Sequence, residues 1–123
     1  MSKLLKYSKA LNHMGNTLNK HVSLKDFVGV TNYIEKLDVV IQALLRLEAP
    51  RIINVDHFKL VRVLTQYECA LKERYIHKEK YSTENFIKEI ALQYAEFEVS
   101  GHVQEILEKL EPSIKAYQFA KLK

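Results

Sequence analysis

Five histidines, one cysteine and fifteen acidic residues are the side chains available for metal or acid–base chemistry, and their spacing decides what they could support. The histidines stand at positions 13, 21, 57, 77 and 102. None belongs to a His-Glu-x-x-His run, and no glutamate lies three residues before a histidine. Both the zinc-protease pattern and the inward-facing Glu-x-x-His of di-iron bundles are therefore missing. Glu73 and His77 share a helical face at i,i+4, a spacing that suits an exposed acid–base pair or a weakly held surface ion. Cys69 has Glu73 one helical turn away, and a nearby carboxylate raises a thiol's pKa rather than activating it. The glycines at 15, 29 and 101 are isolated, so no loop cradles a phosphate, and no nucleophile elbow occurs. No metal or cofactor is implied.

Two other arrangements approach a known mechanism and depart from it at defining positions. Arg51-Ile-Ile-Asn-Val-Asp-His57 has the Arg-to-His spacing of the HEPN class of RNases, small helical domains that cleave RNA by acid–base action. Here Pro50 holds Arg51 in a loop, and Ile52 follows it where that class carries a polar residue. The spacing is all that is shared. Around Gly29, the run Leu24–Thr31 has the outline of a DNA-binding helix-turn-helix. Lys25 stands four residues before the glycine, where a small residue must pack, and Glu35 stands six after it, where an apolar one belongs. Neither pattern makes the chain an enzyme or a DNA reader.

Binding is the better expectation, and charge marks where. Residues 1–25 hold five lysines and no acid, and Lys3, Lys6, Lys9 and Lys20, with His13, fall opposite an apolar helical seam. Lys72, Arg74, Tyr75, Lys78, Lys80 and Tyr81 form a second candidate site. Its cations suit phosphates and its tyrosines suit stacking on unpaired bases. Residues 82–111 hold seven glutamates against two lysines, so charge alternates in blocks along the chain. Such blocks either select which helices pair or leave a basic face for a polyanion.

The elements that must carry these residues read as helices throughout. Leu4, Tyr7, Leu11, Met14 and Leu18 recur at spacings of three and four, predicting a first helix to about residue 21. Ser23 and Asp26 form a capping box for a second, with Phe27, Val30, Ile34, Leu37, Ile41 and Leu44 on its stripe. Gly29 suggests a local kink there; Pro50 bounds the helix. A third helix, capped by Asn54 or Asp56, carries Leu60, Leu64, Tyr67, Leu71 and Tyr75, with Phe58, Val61 and Ile76 beside them. The fourth, opened by Ser82, places Phe86, Ile87, Ile90, Tyr94 and Phe97 on its buried side and stops at Ser100-Gly101. Val103, Leu107, Leu110, Ile114 and Tyr117 then continue either as one kinked helix or as two, the second opened by Pro112.

The predicted fold is therefore all-α: residues 1–123 as a single domain, an antiparallel bundle of five helices, or six if Pro112 opens a new one. The two longest apolar helices, the second and third, should form its centre. With 47% apolar residues the chain has ample material for one core. A single cysteine excludes an intrachain disulfide and points to a reducing, cytoplasmic setting. No run reaches the ~20 apolar residues of a membrane span, and the arginine-free start lacks the apolar block of a signal peptide. The apolar supply exceeds what a monomeric bundle easily buries, which predicts a homodimer or hetero-assembly. The expected function is a small protein-interaction module (an adaptor, immunity-type or assembly protein); the alternative is a basic helical subunit of a ribonucleoprotein.

Overall fold

A computed structural model describes residues 3–18, 27–77 and 82–122, and every regular element among them is helical. Helix α1 spans Lys3–Leu18, α2 Phe27–Arg46, α3 Asn54–Leu71 and α4 Ser82–Leu122. A 3-10 turn, Arg51–Ile53, leads into α3, and a π turn, Lys72–Ile76, leads out of it. The capping box expected at Ser23–Asp26 and the end of the first helix near residue 21 lie outside the described residues.

Four helices, not five or six, make up the described chain, because α4 runs unbroken for 41 residues. It passes through the stop expected at Ser100-Gly101 and, of the two readings at Pro112, follows the one with a single helix. Gly101 keeps an ordinary helical φ rather than a left-handed cap. Pro112 sits inside the helix, where it costs about 3 kcal/mol against alanine. Fully buried Leu110 before it and half-buried Ile114 after it hold the chain on course, each worth roughly 1.5–3 kcal/mol when buried. Pro112 and Glu108 are both exposed, so water can serve the Glu108 carbonyl that lacks a helical donor. Helix α2 likewise continues through Gly29.

The helices pack as an antiparallel four-membered ring in which each touches the next and α1 closes against α4. Lys3, at the start of α1, pairs with Glu48 just past the end of α2 at 3.2 Å. Along α3 and α4 the partners run in opposite order: Asp56 with Lys109, Tyr67 with Glu96, Arg74 with Glu89. Core residues come from all four helices, among them Tyr7, Leu11, Val30, Leu37, Leu44, Leu60, Leu64, Leu71, Leu92, Ile106 and Leu110. Of the stripes read from sequence, Tyr7, Leu11 and Met14 on α1, Val30, Ile34, Leu37, Ile41 and Leu44 on α2, and Leu60, Leu64, Tyr67 and Leu71 on α3 are buried; Leu4 and Tyr75 are half-buried, Phe58 points outward, and the side chains of Leu18 and Phe27 lie outside those described. Centrality belongs to α3 together with α4, the longest helix, rather than to α2 and α3.

The largest correction concerns α4. Phe86, Ile87, Ile90, Tyr94 and Phe97, expected inside, are all more than half exposed. The inward positions are Leu92, Ala95, Val99, Val103, Ile106, Leu110 and Ile114. At 100° per residue the two sets lie on opposite sides of the helix. The inward set spans about twice the length of the outward one, and α4 meets both α3 and α1.

The entry to α3 also departs from expectation. Ile53, with no side-chain cap, precedes the helix, while Asn54 opens it. The 3-10 turn takes over the capping role: the Ile53 N–H donates to the Pro50 carbonyl at 3.1 Å, and the Asn54 N–H to Arg51. Asp56, in the first turn of α3, is buried and accepts from Lys109 Nζ at 2.7 Å. Its charge therefore both suits the helix N-terminus and ties α3 to α4.

Candidate interaction surface

The polar side chains that reach the interior are used to join helices. The Tyr7 hydroxyl and His57 Nδ1 share a hydrogen bond of 2.8 Å, with the rings edge-on at 5.4 Å, and the imidazole also bonds the backbone of Leu44. Three helices meet there in one neutral knot. Burial pushes the His57 pKa below its ordinary value, against a smaller opposing effect of the Leu44 bond. Burial also raises Tyr7, with the nearby Asp56 charge adding to it. His57 is only 4% exposed, whereas Arg51 lies on the surface. The imidazole faces the core, away from anything a nuclease would have to reach.

A second polar group lies along one cleft of about 470 Å³, walled by Leu11, Met14, Val99 and Val103. The Tyr33 and Tyr67 hydroxyls are 3.3 Å apart, and Tyr67 donates to Glu96 Oε1 at 3.4 Å. Burial first, then these neighbours, raise the Tyr67 pKa. Hydroxyls and carboxylate thus answer one another. Among the described residues no group of three or more His, Cys, Asp or Glu could hold a metal ion, and Cys69 is free and exposed.

The basic residues singled out from sequence divide into two distant places. Lys3, Lys6 and Lys9 are exposed on α1. Lys3 pairs with Glu48, while neither Lys6 nor Lys9 joins an ion pair among the described residues. No α1 lysine pairs with a glutamate of α4 there, so the opposite charges of those two helices do not select their contact through ion pairs. At the far end of α3, some 27 Å away at 1.5 Å per residue, Lys72, Arg74 and Tyr75 form the π turn. Arg74 donates to Glu89 at 2.6 Å and lies 5.0 Å from the Tyr75 ring centre. Lys72 pairs with Glu68 on its own helix at 3.4 Å, and Lys88 donates to the His77 carbonyl at 2.7 Å. Of this cluster, Arg74 thus fastens the π turn to the start of α4, while Lys72 is paired back to α3. Lys20, Lys78, Lys80 and Tyr81 lie outside the described residues.

What the sequence reading missed is the outward face of α4. Phe86, Ile87, Ile90, Tyr94 and Phe97 recur at helical spacing over three turns, and Phe97 keeps 75% of its surface in water. At roughly 150–250 Å² per aromatic side chain, these five present on the order of 600 Å² of apolar surface. That equals the largest patch usual on a monomer and is often functional. The Tyr94 hydroxyl bonds Glu98, which raises its pKa. A signal for this face existed. The row Leu92, Ala95, Val99, Val103, Ile106, Leu110, Ile114 keeps its spacing across Gly101 and Pro112, and the longer of two competing rows belongs inside.

No helix among the described residues is long and apolar enough to cross a membrane. No protein-family model, curated protein or solved structure matches the chain.

Proposed function

We propose that the chain is a non-catalytic protein-interaction module, of the adaptor, immunity or assembly kind, that engages a protein partner through the outward face of α4. What supports this reading is a continuous apolar stripe, Phe86 to Phe97, on the side of α4 opposite its core face. Aromatic anchors bordered by polar residues are what interface hot spots are built from. Removing such a stripe from water also supplies the driving force that association needs. Affinity capture from the native host with wild type and an Ile90→Glu/Phe97→Glu variant tests it. A protein retained by wild type and lost from the equally stable variant is expected. Equal retention of every captured protein would overturn the reading.

A second reading, a ribonucleoprotein subunit, draws on Lys6 and Lys9, which stand exposed on α1 without ion pairs among the described residues. A polyanion lying on α1 would release counterions, so its affinity should fall steeply with salt. Labelled RNA with unchanged mobility at low salt would remove this alternative.

A further inference from the structure

We infer that the occupant of the outward face of α4 is a second copy of this chain, packed with its own α4 antiparallel to the first. The inference rests on the reading of that face as a docking surface and names its partner.

Three observations point to a second copy. The first is the pattern of the stripe itself: Ile87, Ile90, Tyr94 and Phe97 stand at spacings of three, four and three, alike in both directions. A two-fold axis level with Leu92 sets Ile87 against Phe97 of the second copy and Ile90 against Tyr94. These four anchors then each meet an apolar partner, as an isologous interface requires, with Phe86 flanking Phe97.

Size is the second. Two stripes of about 600 Å² each bury about 1,200 Å² in all, the lower bound of specific protein interfaces. One α4 pair is therefore sufficient without other contacts.

The third is Gly101. It lies on the same outward face, one turn past Phe97, in mid-helix where only proline is less favourable. Its φ is not positive, and a Cβ there would meet nothing within 4 Å. Nothing among the described residues calls for glycine at this position. In the antiparallel pair Gly101 falls opposite Thr83 of the second copy, at the edge of the stripe, where a missing side chain lets the backbones approach.

The same register brings Glu84 and Glu98 near one another at the rim. These carboxylates repel, so salt should tighten the pair by screening them. A basic partner on the same acidic helix would respond in the opposite direction.

Sedimentation equilibrium from micromolar concentration to about 1 mM spans the affinities expected of an interface this small. Wild type should approach a dimer mass, more so at higher salt. Ile90→Glu and Phe97→Glu should each raise the dissociation constant roughly thirtyfold or more, as hot-spot residues do. Val39→Glu, an equally exposed apolar site on α2, should leave it unchanged. In a Cys69→Ser background, Ile87→Cys and Phe97→Cys chains should form a disulfide when mixed and oxidised, and little when each is alone. Self-linking of each alone would mean parallel pairing and overturn the register. A monomer mass at about 1 mM would overturn the second copy altogether. If the stripe variants nonetheless lose a captured partner, the docking reading survives that failure; if they lose none, both fall.

Discussion

The two halves of α4 share one inner face and differ on the outer. Before Gly101 the helix shows Phe86, Ile87, Ile90, Tyr94 and Phe97 to solvent; after it, the corresponding positions are Gln104, Glu105, Glu108, Pro112 and Lys115. Inside, Leu92, Ala95 and Val99 pass without interruption into Val103, Ile106, Leu110 and Ile114. The contrast separates two demands on one helix. The inner row is what folding requires and therefore extends along both halves. The outer apolar row breaks off at Phe97, and the outer face is polar from Gln104 to Lys115 before the exposed Phe119. A helix apolar on two opposite sides also has little net amphipathicity, so periodicity alone does not say which side is inside.

The sharpest way to break the comparison is to truncate each face in turn. Leu92→Ala, Ile106→Ala or Leu110→Ala should each cost about 2–5 kcal/mol in denaturant unfolding. Phe97→Ala, read at a concentration where the chain is monomeric, should stay within about 0.5 kcal/mol. Comparable losses at Phe97 and Leu92 would mean that the outward face is not free in the monomer.

Next in size is the difference between the inner and outer ion pairs of the C-terminal half. Lys109→Ala leaves the buried Asp56 carboxylate without its 2.7 Å partner and should cost about 1.5–3 kcal/mol. Lys115→Ala breaks only the exposed pair with Glu111 at 3.0 Å, worth about 0.3–0.5 kcal/mol. Thermal unfolding of the two variants side by side measures the gap.

Acid should act on the same end of the bundle through His57. Its pKa is lowered in the folded chain by burial, so the unfolded chain binds more protons. Stability is then full above pH ~6.5, the unperturbed histidine value, and falls as pH drops below it. One histidine can contribute at most about 1.4 kcal/mol per pH unit. His57→Gln should flatten that part of a melting-temperature profile; an unchanged slope would assign the acid sensitivity elsewhere.

The smallest effect tests the boundary between the halves. Gly101→Ala should stabilise the monomer by about 0.8–1 kcal/mol through helix propensity, since the new methyl meets no neighbour. The same variant should weaken self-association, giving opposite signs in unfolding and sedimentation experiments.

Most of the bundle could be read before its structure was known. Tyr7, Leu11 and Met14 of α1, Leu37 and Leu44 of α2, and Leu60, Leu64 and Leu71 of α3 are inside where their spacing places them. Lys3, Lys6 and Lys9 face outward as the acid-free opening suggests. The reading fails at α4 for a local reason: Ser100-Gly101 reads as a stop, which cuts the longer inner row in two and leaves the bulkier Phe86–Phe97 row as the apparent core side, while Pro112 leaves one helix or two open. The candidate binding residues suffered a different fate. Arg74 was legible as a cation, but not that Glu89 of α4 would hold it.

Composition and spacing by themselves determined that this chain is helical and where apolar rows recur, because a 3.6-residue period and a scarcity of breakers are properties of the chain alone. Tertiary structure decided which row of α4 faces inward and that the helix continues through Gly101 and Pro112. Local penalties of about 1 and 3 kcal/mol are outweighed when a seven-residue row meets α3 and α1 together. It also decided the polar ties. Tyr7 with His57 and Asp56 with Lys109 are separated by 50 and 53 residues. Only packing brings such groups together, and burial gives them strength once they meet.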